Sequence, residues 1–393
     1  MSSLVIIPQS CDFRKQSASL AVMEDVRERV LRLAESSGLT RRAFAERIGL
    51  DESKLSKSLS GARRFSSLDL ARIAEMCQVT VDWLITGEEP PLAMAARTSG
   101  GSAAEAIALA RRLCVLRGDM AGLGYPQPWQ PVTGASGATG SSGGLAGQGR
   151  ALAAAAARRL GEAGRSAADE DLAAAVEAVF GVDVTIAAVG ADFDGLAASS
   201  GGAKIIALAT TAVPSRQRFT LAHELGHLLA GDDQEVHLDH DIYSPAQSRD
   251  PSEARANSFA AALLMPEAGL RAAVGQDGIT EQQFTALATD LMVSPSALAY
   301  RMREHRLIDS GSCDKLRKIS AARAAALAGR GRELARRVAA AGTPRPPGLL
   351  LRDTYAAYEA GAATLRPYAN LLGADVDELR AALESDDGPV DAL

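Results

Sequence analysis

The sequence predicts a multidomain fold: an all-α N-terminal domain, an α+β domain with a small sheet, and a helical C-terminal extension. Turn signals between residues 26 and 86 come at the intervals that five short helices need. The stretches 182–189 and 204–209 have the composition of strands, whereas Ala-, Leu- and Arg-rich helical patterns run from Glu253 to the end. The expected boundaries are 23–90 for the N-terminal domain, 91–150 for a helix and a linker, 151–310 for the α+β domain and 311–393 for the extension.

Composition and charge exclude several classes of protein. Hydrophobic residues make up 47% and charged residues 23% of the chain, which is the balance of a globular protein rather than a disordered one. No stretch approaches the ~18 apolar residues of a membrane-spanning helix and no secretory signal is visible, so we expect no membrane association and a cytoplasmic location. The net charge of −6 excludes a polybasic protein that coats nucleic acid, and the four widely spaced cysteines are expected to be reduced.

The segment between the first two domains has the composition of a linker. Residues 103–117 have the periodicity of one amphipathic helix. Residues 118–150 then hold ten glycines and three prolines, a content that resists packing. We therefore expect a flexible connection after the helix.

Residues 40–61 have the pattern of two helices joined by a short turn. Thr40 is placed to cap the first helix, Gly49 lies in the turn and Gly61 closes the second helix. This order of helix, glycine-containing turn and helix is the helix-turn-helix plan. The second helix begins with Asp51 and Glu52, whose negative charges repel phosphate. These residues must instead cap the helix, pair with arginine or accept a hydrogen bond from cytosine.

The surface of this helix pair carries a local excess of positive charge. Residues 39–64 contain seven basic and three acidic residues, which gives +4 inside a chain of net −6 and is typical of a phosphate-binding face. The expected DNA contacts are Arg41, Arg42, Ser53, Lys54, Ser56, Lys57, Arg63 and Arg64. The block, with its closing segment 80–87, resembles the Xre/Cro family of helix-turn-helix repressors. That resemblance implies a five-helix domain that binds double-stranded operator DNA, generally as a homodimer.

The strongest chemical signal is the motif His223-Glu224-Leu225-Gly226-His227. On a helix, residues four apart share one face, so both imidazoles can bind one zinc ion while Glu224 lies beside the attacking water. The surrounding stretch is apolar, and two histidines and a glutamate are costly to bury there without a metal.

A zinc ion held by two histidines needs a third protein ligand. Glu253 is one candidate, although Asp250 and Glu253 also fit the pattern of an N-terminal helix cap, which needs no metal. His237 and His240 are further candidates, in a polar stretch close to the end of the motif helix. The residue pattern alone leaves these alternatives open.

Residues from about 204 to 265 resemble the ImmA/IrrE family of zinc metallopeptidases, in which an HExxH helix is followed by a helix reading ExxANxFAxxLLMP. This sequence has that pattern from Glu253 to Pro266. The resemblance implies a zincin-like peptidase core that binds one Zn²⁺ per chain. It implies that His223, His227 and Glu253 are the ligands and Glu224 the general base, with Asn257 as a partner of a ligand. Tyr243 is an expected donor to the oxyanion.

Two further segments allow two interpretations each. The stretch 204–209 is either an edge strand that pairs with an extended substrate or a buried strand. Residues 279–308 again have the pattern helix, turn, helix, with a basic edge; we expect structural packing there rather than a second DNA-binding motif.

The two motifs together predict a transcriptional regulator with a zinc-dependent endopeptidase domain. Its expected protein substrate is an Xre-type repressor, or the chain itself, in a stress or mobile-element response. One alternative is a transcription factor whose zincin-fold domain senses a ligand or partner without cleaving anything. Another is an antitoxin-like protein that forms a stable complex with a toxin.

Overall fold

The computed structural model describes residues 26–37, 39–77, 79, 81–86, 101–132, 144–190, 193–232, 238–239, 251–275 and 278–386. The chain divides into two compact units, residues 1–90 and 91–393. Among the described residues, no helix combines the length and apolarity that crossing a bilayer requires.

The described residues of the first unit form five helices, as the sequence predicts. They are α1 (Val26–Ser36), α2 (Arg41–Arg47), α3 (Glu52–Leu59), α4 (Ser67–Cys77) and α5 (Val81–Thr86). Phe44, Ile48 and Leu55 are buried where α2 and α3 meet the other helices. Thr40 caps α2 by accepting from the Ala43 backbone N–H, as expected from its position before the helix.

The second unit combines helices with a small mixed sheet. Its first elements are α6 (Gly101–Gly122), α7 (Gly144–Glu162), α8 (Leu172–Phe180), β1 (Asp183–Ala187), β2 (Gly195–Ser200), β3 (Ala203–Ala209), α9 (Pro214–Ala230), the two-residue β4 (Leu238–Asp239) and α10 (Pro251–Leu264). Nine further helices complete the described part: α11 (Glu267–Ala273), α12 (Glu281–Asp290), α13 (Pro295–Glu304), α14 (Ser310–Leu316), α15 (Ala321–Leu327), α16 (Gly331–Ala341), α17 (Gly348–Glu359), α18 (Arg366–Leu372) and α19 (Val376–Asp386).

The sheet has the strand order β1-β3-β2-β4. Strand β3 pairs in parallel with β1 and antiparallel with β2, so the stretch 204–209 is a buried interior strand and not an edge strand. Strand β4 pairs with β2 at Gly195 and Leu196.

Helices cover both faces of the sheet. Ile206 and Leu208 point to the large core that includes α7, α9 and α10, whereas the alternate residues Ile205 and Ala207 face α6. Because the sheet is buried on both faces, its strands are mostly apolar; β3, for example, has Lys204 as its one polar residue.

The described parts of the expected linker, residues 118–132 and 144–150, are folded, which corrects the interpretation of these residues. Helix α6 extends to Gly122, and α7 begins at Gly144. Between them, Gln127 donates hydrogen bonds to Asp183 and to the Lys204 carbonyl, and Trp129 packs against the core. Residues 133–143 lie outside the described part of the chain.

The extension is also part of the second unit rather than a separate region after residue 310. Arg345 exchanges two backbone hydrogen bonds with Ile186 of β1, both 2.8 Å long. Arg117 of α6 forms buried ion pairs with Asp183 of β1 and Asp353 of α17. These contacts join segments between 66 and 236 residues apart, so they have no signature in local sequence.

The segment 279–308 forms α12 and α13, joined by a turn in which Ser294 caps α13. Leu298, Ala299 and Met302 of α13 are buried in the main core. This burial supports the interpretation as structural packing.

Candidate functional site

Helix α9 places the HExxH motif in the interior of the second unit. The helix begins at Pro214, whose fixed φ suits the first turn, and ends at Ala230; Gly231 caps it in the left-handed conformation. The side chains of His223, Glu224 and His227 are completely buried between the sheet and α10. Three ionisable groups without water contact require compensating partners.

Glu253 lies in the first turn of α10 and meets both histidines. Its Oε2 lies 3.2 Å from His223 Nε2, and its Oε1 lies 3.3 Å from His227 Nε2. The two Nε2 atoms are 3.0 Å apart, and the ligand atoms of all three residues lie within 4.8 Å of one another. The side chain of Glu253 is therefore directed at the histidines. The other third-ligand candidates, His237 and His240, lie outside the described residues, as does Tyr243.

The charges of this cluster are coupled. Burial alone would raise the pKa of Glu253, but its contacts with His223 and His227 hold that pKa far below the usual range. Burial alone would lower the pKa of His227, but Asp232 and Glu253 raise it to about 9. The carboxylate is thus anionic at neutral pH and stabilises positive charge on the His227 imidazole.

Each histidine also has a partner on its other ring nitrogen. His223 Nδ1 donates to Asn257 Oδ1 at 3.1 Å, which leaves Nε2 directed at Glu253. His227 Nδ1 lies 3.6 Å from Asp232 Oδ2, and Asp232 is itself hydrogen-bonded by Arg255 of α10. Asp232 is not among the residues predicted from the sequence. The feature that could have identified it is its position as an acidic residue directly after Gly231, the glycine that caps the motif helix.

Gly195 at the start of β2 lets that strand approach Glu224 closely. A Cβ atom at this position would lie 2.5 Å from the Thr220 methyl group and 3.4 Å from Glu224 Oε1. The sequence analysis did not identify Gly195, because its requirement depends on the packing of a strand against a helix.

The residues present fit a zinc ion. Two imidazoles and one carboxylate converge from two helices in a buried position, which is the donor set of catalytic zinc sites. The hydrogen bond from His223 to Asn257 orients that imidazole so that its Nε2 faces the cluster. Glu224 is adjacent in sequence to His223 and equally buried.

The helix-turn-helix residues divide into two groups. Exposed side chains are those of Arg41, Arg42, Ser53, Lys54, Ser56, Lys57 and Arg64. Arg63 is half-buried instead, and donates to Ser58 Oγ at 2.9 Å while pairing with Asp69 at 2.8 Å. Asp51 caps α3 by accepting from the Lys54 backbone N–H at 2.7 Å, which gives this acidic residue a role within the domain.

Comparisons with known proteins agree with both motifs. A family model described as a helix-turn-helix domain matches residues 26–84, and one described as an IrrE N-terminal-like domain matches residues 178–303. The radiation response metalloprotease IrrE of Deinococcus radiodurans is 39% identical over 101 residues, which is 25% of this chain and 31% of that protein. The protein of the same name from Deinococcus deserti is 39% identical over 92 residues, 23% of this chain and 33% of that protein.

The chain thus spans about a third of the length of these curated relatives. The matched segments include α2 and α3 in the first unit and α9 and α10 in the second. This chain therefore joins a helix-turn-helix domain to an IrrE-like metallopeptidase domain.

Proposed function

We propose that this protein is a transcriptional regulator whose second unit is a zinc-dependent endopeptidase. The observation that carries the proposal is the buried convergence of His223, His227 and Glu253, with Glu224 beside the first histidine. A site built only for stability needs no base next to such a cluster, because an additional buried carboxylate destabilises the fold.

In the proposed mechanism, His223, His227 and Glu253 hold the ion. Zinc, when bound, polarises the scissile carbonyl and lowers the pKa of water. Glu224 takes the proton from the attacking water and delivers it to the leaving amine. Asn257 holds the His223 ring in the tautomer that presents Nε2. Tyr243 remains a candidate donor to the oxyanion.

The first unit is proposed to bind double-stranded operator DNA through the exposed face of α2 and α3. Lys54 and Lys57 on α3 supply positive charge, and Ser53 and Ser56 are placed to reach base edges. We propose a homodimer of the Xre type, located in the cytoplasm and on the nucleoid when DNA-bound.

The proposed substrate is an Xre-type repressor or the chain itself. The matched relatives are called radiation response metalloproteases, which supports a role in a stress response. The presence of a helix-turn-helix domain in the same chain supports a substrate involved in transcription.

The direct test compares new protein N-termini in cells that express the wild type or Glu224→Gln, with and without DNA damage. The substitution removes the base and leaves the ligands in place, so both proteins should bind zinc equally. A fragment present only with the wild type would identify the substrate. Identical profiles from two zinc-loaded proteins would contradict the peptidase proposal and favour a sensor that does not cleave.

The ligand set has its own test. Glu253→Ala should lose zinc at chelator concentrations that leave the wild type loaded, because a site with two histidines lacks the third protein ligand. Glu359→Ala, which removes an exposed glutamate of the same unit, is the control. Undiminished zinc affinity of Glu253→Ala would leave Glu253 with a role in capping α10 only.

A further inference from the structure

The metal-site residues are closed to solvent. His223, Glu224 and His227 are each 0% exposed, and Glu253 is 4% exposed. A scissile carbonyl has to come within ~3–3.5 Å of the attacking water, which Glu224 must also reach. A protein substrate therefore reaches this site only after an element beside it has moved.

Strand β2 is the part of the sheet that approaches Glu224. A Cβ atom at Gly195 would lie 3.4 Å from Glu224 Oε1. Gly195 is paired on both sides, with Leu208 of β3 and with Asp239 of β4. Because β3 is an interior strand, an extended chain that pairs with β2 beside Glu224 has to take the place of β4.

The alternation of the ladder determines which groups of Gly195 face β4. The Asp194 carbonyl accepts from the Ala209 N–H at 3.0 Å, so these two residues are a hydrogen-bonded pair at the end of the β2–β3 ladder. The next residue, Gly195, therefore directs its N–H and C=O to the opposite side, where Asp239 lies. These are the groups that a strand added to this edge would use.

Among the described elements around the site, β4 is the shortest and the most easily displaced. Helices α9 and α10 carry the three residues that converge on the expected ion, and β2 and β3 pair along the whole of β2. Strand β4 meets β2 only at Gly195 and Leu196. The Gly195–Asp239 pair supplies at most two backbone hydrogen bonds, and an extended substrate can replace them one for one.

We propose that β4 keeps the peptidase latent by occupying the edge of β2 at which an extended protein substrate pairs. This inference rests on the proposed peptidase function. Leu238 follows Ala230, the last residue of α9, by eight residues, so β4 stays tethered beside the site when displaced and competes at a high local concentration. The substrate that displaces it is an extended, strand-forming segment rather than a helix.

The first test releases β4. Asp239→Pro removes the N–H that faces Gly195, whereas Asp239→Ala changes the same side chain and keeps that N–H. The zinc-loaded full-length proteins are mixed with excess 4-(2-pyridylazo)resorcinol, and the rate of zinc transfer measures access to the site. Asp239→Pro should transfer zinc at least ~10-fold faster than the wild type, and Asp239→Ala within ~2-fold of it. Equal rates in the three proteins would overturn the role of β4.

The second test fixes β4 in place. Leu196→Cys combined with Leu238→Cys puts two cysteines at directly paired positions of β2 and β4, where a disulfide can form. Once mass spectrometry has verified the bond, zinc transfer should be at least ~10-fold slower than in the same protein after reduction by a phosphine. The reduced protein is thus its own control for folding. A transfer rate that does not depend on the oxidation state would contradict the proposal.

Cleavage of fluorescein-labelled casein separates this inference from the proposed function. Faster zinc transfer together with faster cleavage by Asp239→Pro would support both. Faster zinc transfer without cleavage by any zinc-loaded variant would contradict the peptidase function but not the covering of the site by β4. Cleavage at equal rates by the wild type and Asp239→Pro would overturn the latency alone.

Discussion

Replacing Arg117 by methionine is expected to destabilise the second unit by about 4 kcal/mol at pH 7. The guanidinium of Arg117 is 2% exposed and donates two hydrogen bonds of 2.8 Å to Asp183 and one of 2.5 Å to Asp353. It therefore joins α6, β1 and α17 through one buried cation. Methionine fills a similar volume but leaves the buried carboxylates of Asp183 and Asp353 without the cation that they share.

The magnitude follows from the protonation that the variant requires. At least one of the two carboxyls must bind a proton, and protonating a carboxyl of ordinary pKa at pH 7 costs ~4 kcal/mol. Burial already raises the pKa of Asp183 to about 6, against the lowering effect of Arg117, so removing Arg117 raises it further. A carboxyl whose pKa is higher in the folded than in the unfolded state stabilises the fold at low pH. That stabilisation is lost as the pH rises. The deficit should therefore shrink as the pH falls from 7 to 6, by at most ~1.4 kcal/mol per pH unit, and level off below pH 6, where Asp183 of the wild type also binds a proton.

Urea unfolding monitored by tryptophan fluorescence measures this effect. Trp129 packs against the core of the second unit, and a Trp83→Phe background removes the other tryptophan, which lies in the first unit. Arg112→Met, at an exposed position of the same helix, should change stability by less than ~0.5 kcal/mol. A loss below ~1 kcal/mol for Arg117→Met, or a deficit independent of pH, would refute the reasoning.

Three further substitutions test other contacts. Gly195→Ala should lower stability by ~1–3 kcal/mol in urea unfolding, because its Cβ overlaps neighbouring side chains; wild-type stability would contradict the close approach. Asp232→Asn should weaken zinc binding ~10–100-fold in chelator competition if Asp232 orients His227, and unchanged affinity would exclude that role. Arg63→Ala should destabilise the first unit by ~1–2 kcal/mol yet leave the salt dependence of DNA binding nearly unchanged. Lys57→Ala should instead reduce the slope of log affinity against log salt concentration by ~1. Equal slopes for the two variants would argue against separating Arg63 from the DNA-contacting residues.

Local features of the chain were predictable because local spacing determines them. The cap at Thr40 follows from a hydroxyl before a helical pattern. The pairing of His223 with His227 follows from the period of the α-helix, and the approach of Glu253 followed from the family resemblance. The helix-turn-helix and IrrE-like assignments are confirmed by the family models.

Long-range features were not predictable from one sequence. The glycine and proline content of residues 118–132 indicated a linker, but Gln127 and Trp129 pack on the sheet and its core. Arg117 has partners 66 and 236 residues away, and nothing in its neighbourhood identifies them. Arg63 was grouped with the DNA contacts because its charge is visible in the sequence, whereas its bond to Ser58 is not.

The pairing of Arg345 with Ile186 has a consequence for how the protein is made on the ribosome. The hydrogen-bonding edge of β1 is covered by a segment synthesised about 160 residues later. Translation at roughly 5–20 residues per second leaves that edge unpaired for about 8–32 s. Residues 26–86 are finished before β1 is synthesised and make a separate unit, so they can fold during that time. We therefore expect that a nascent chain can bind DNA before its metallopeptidase domain is complete. During this interval β1 is exposed to chaperones or to a second nascent chain.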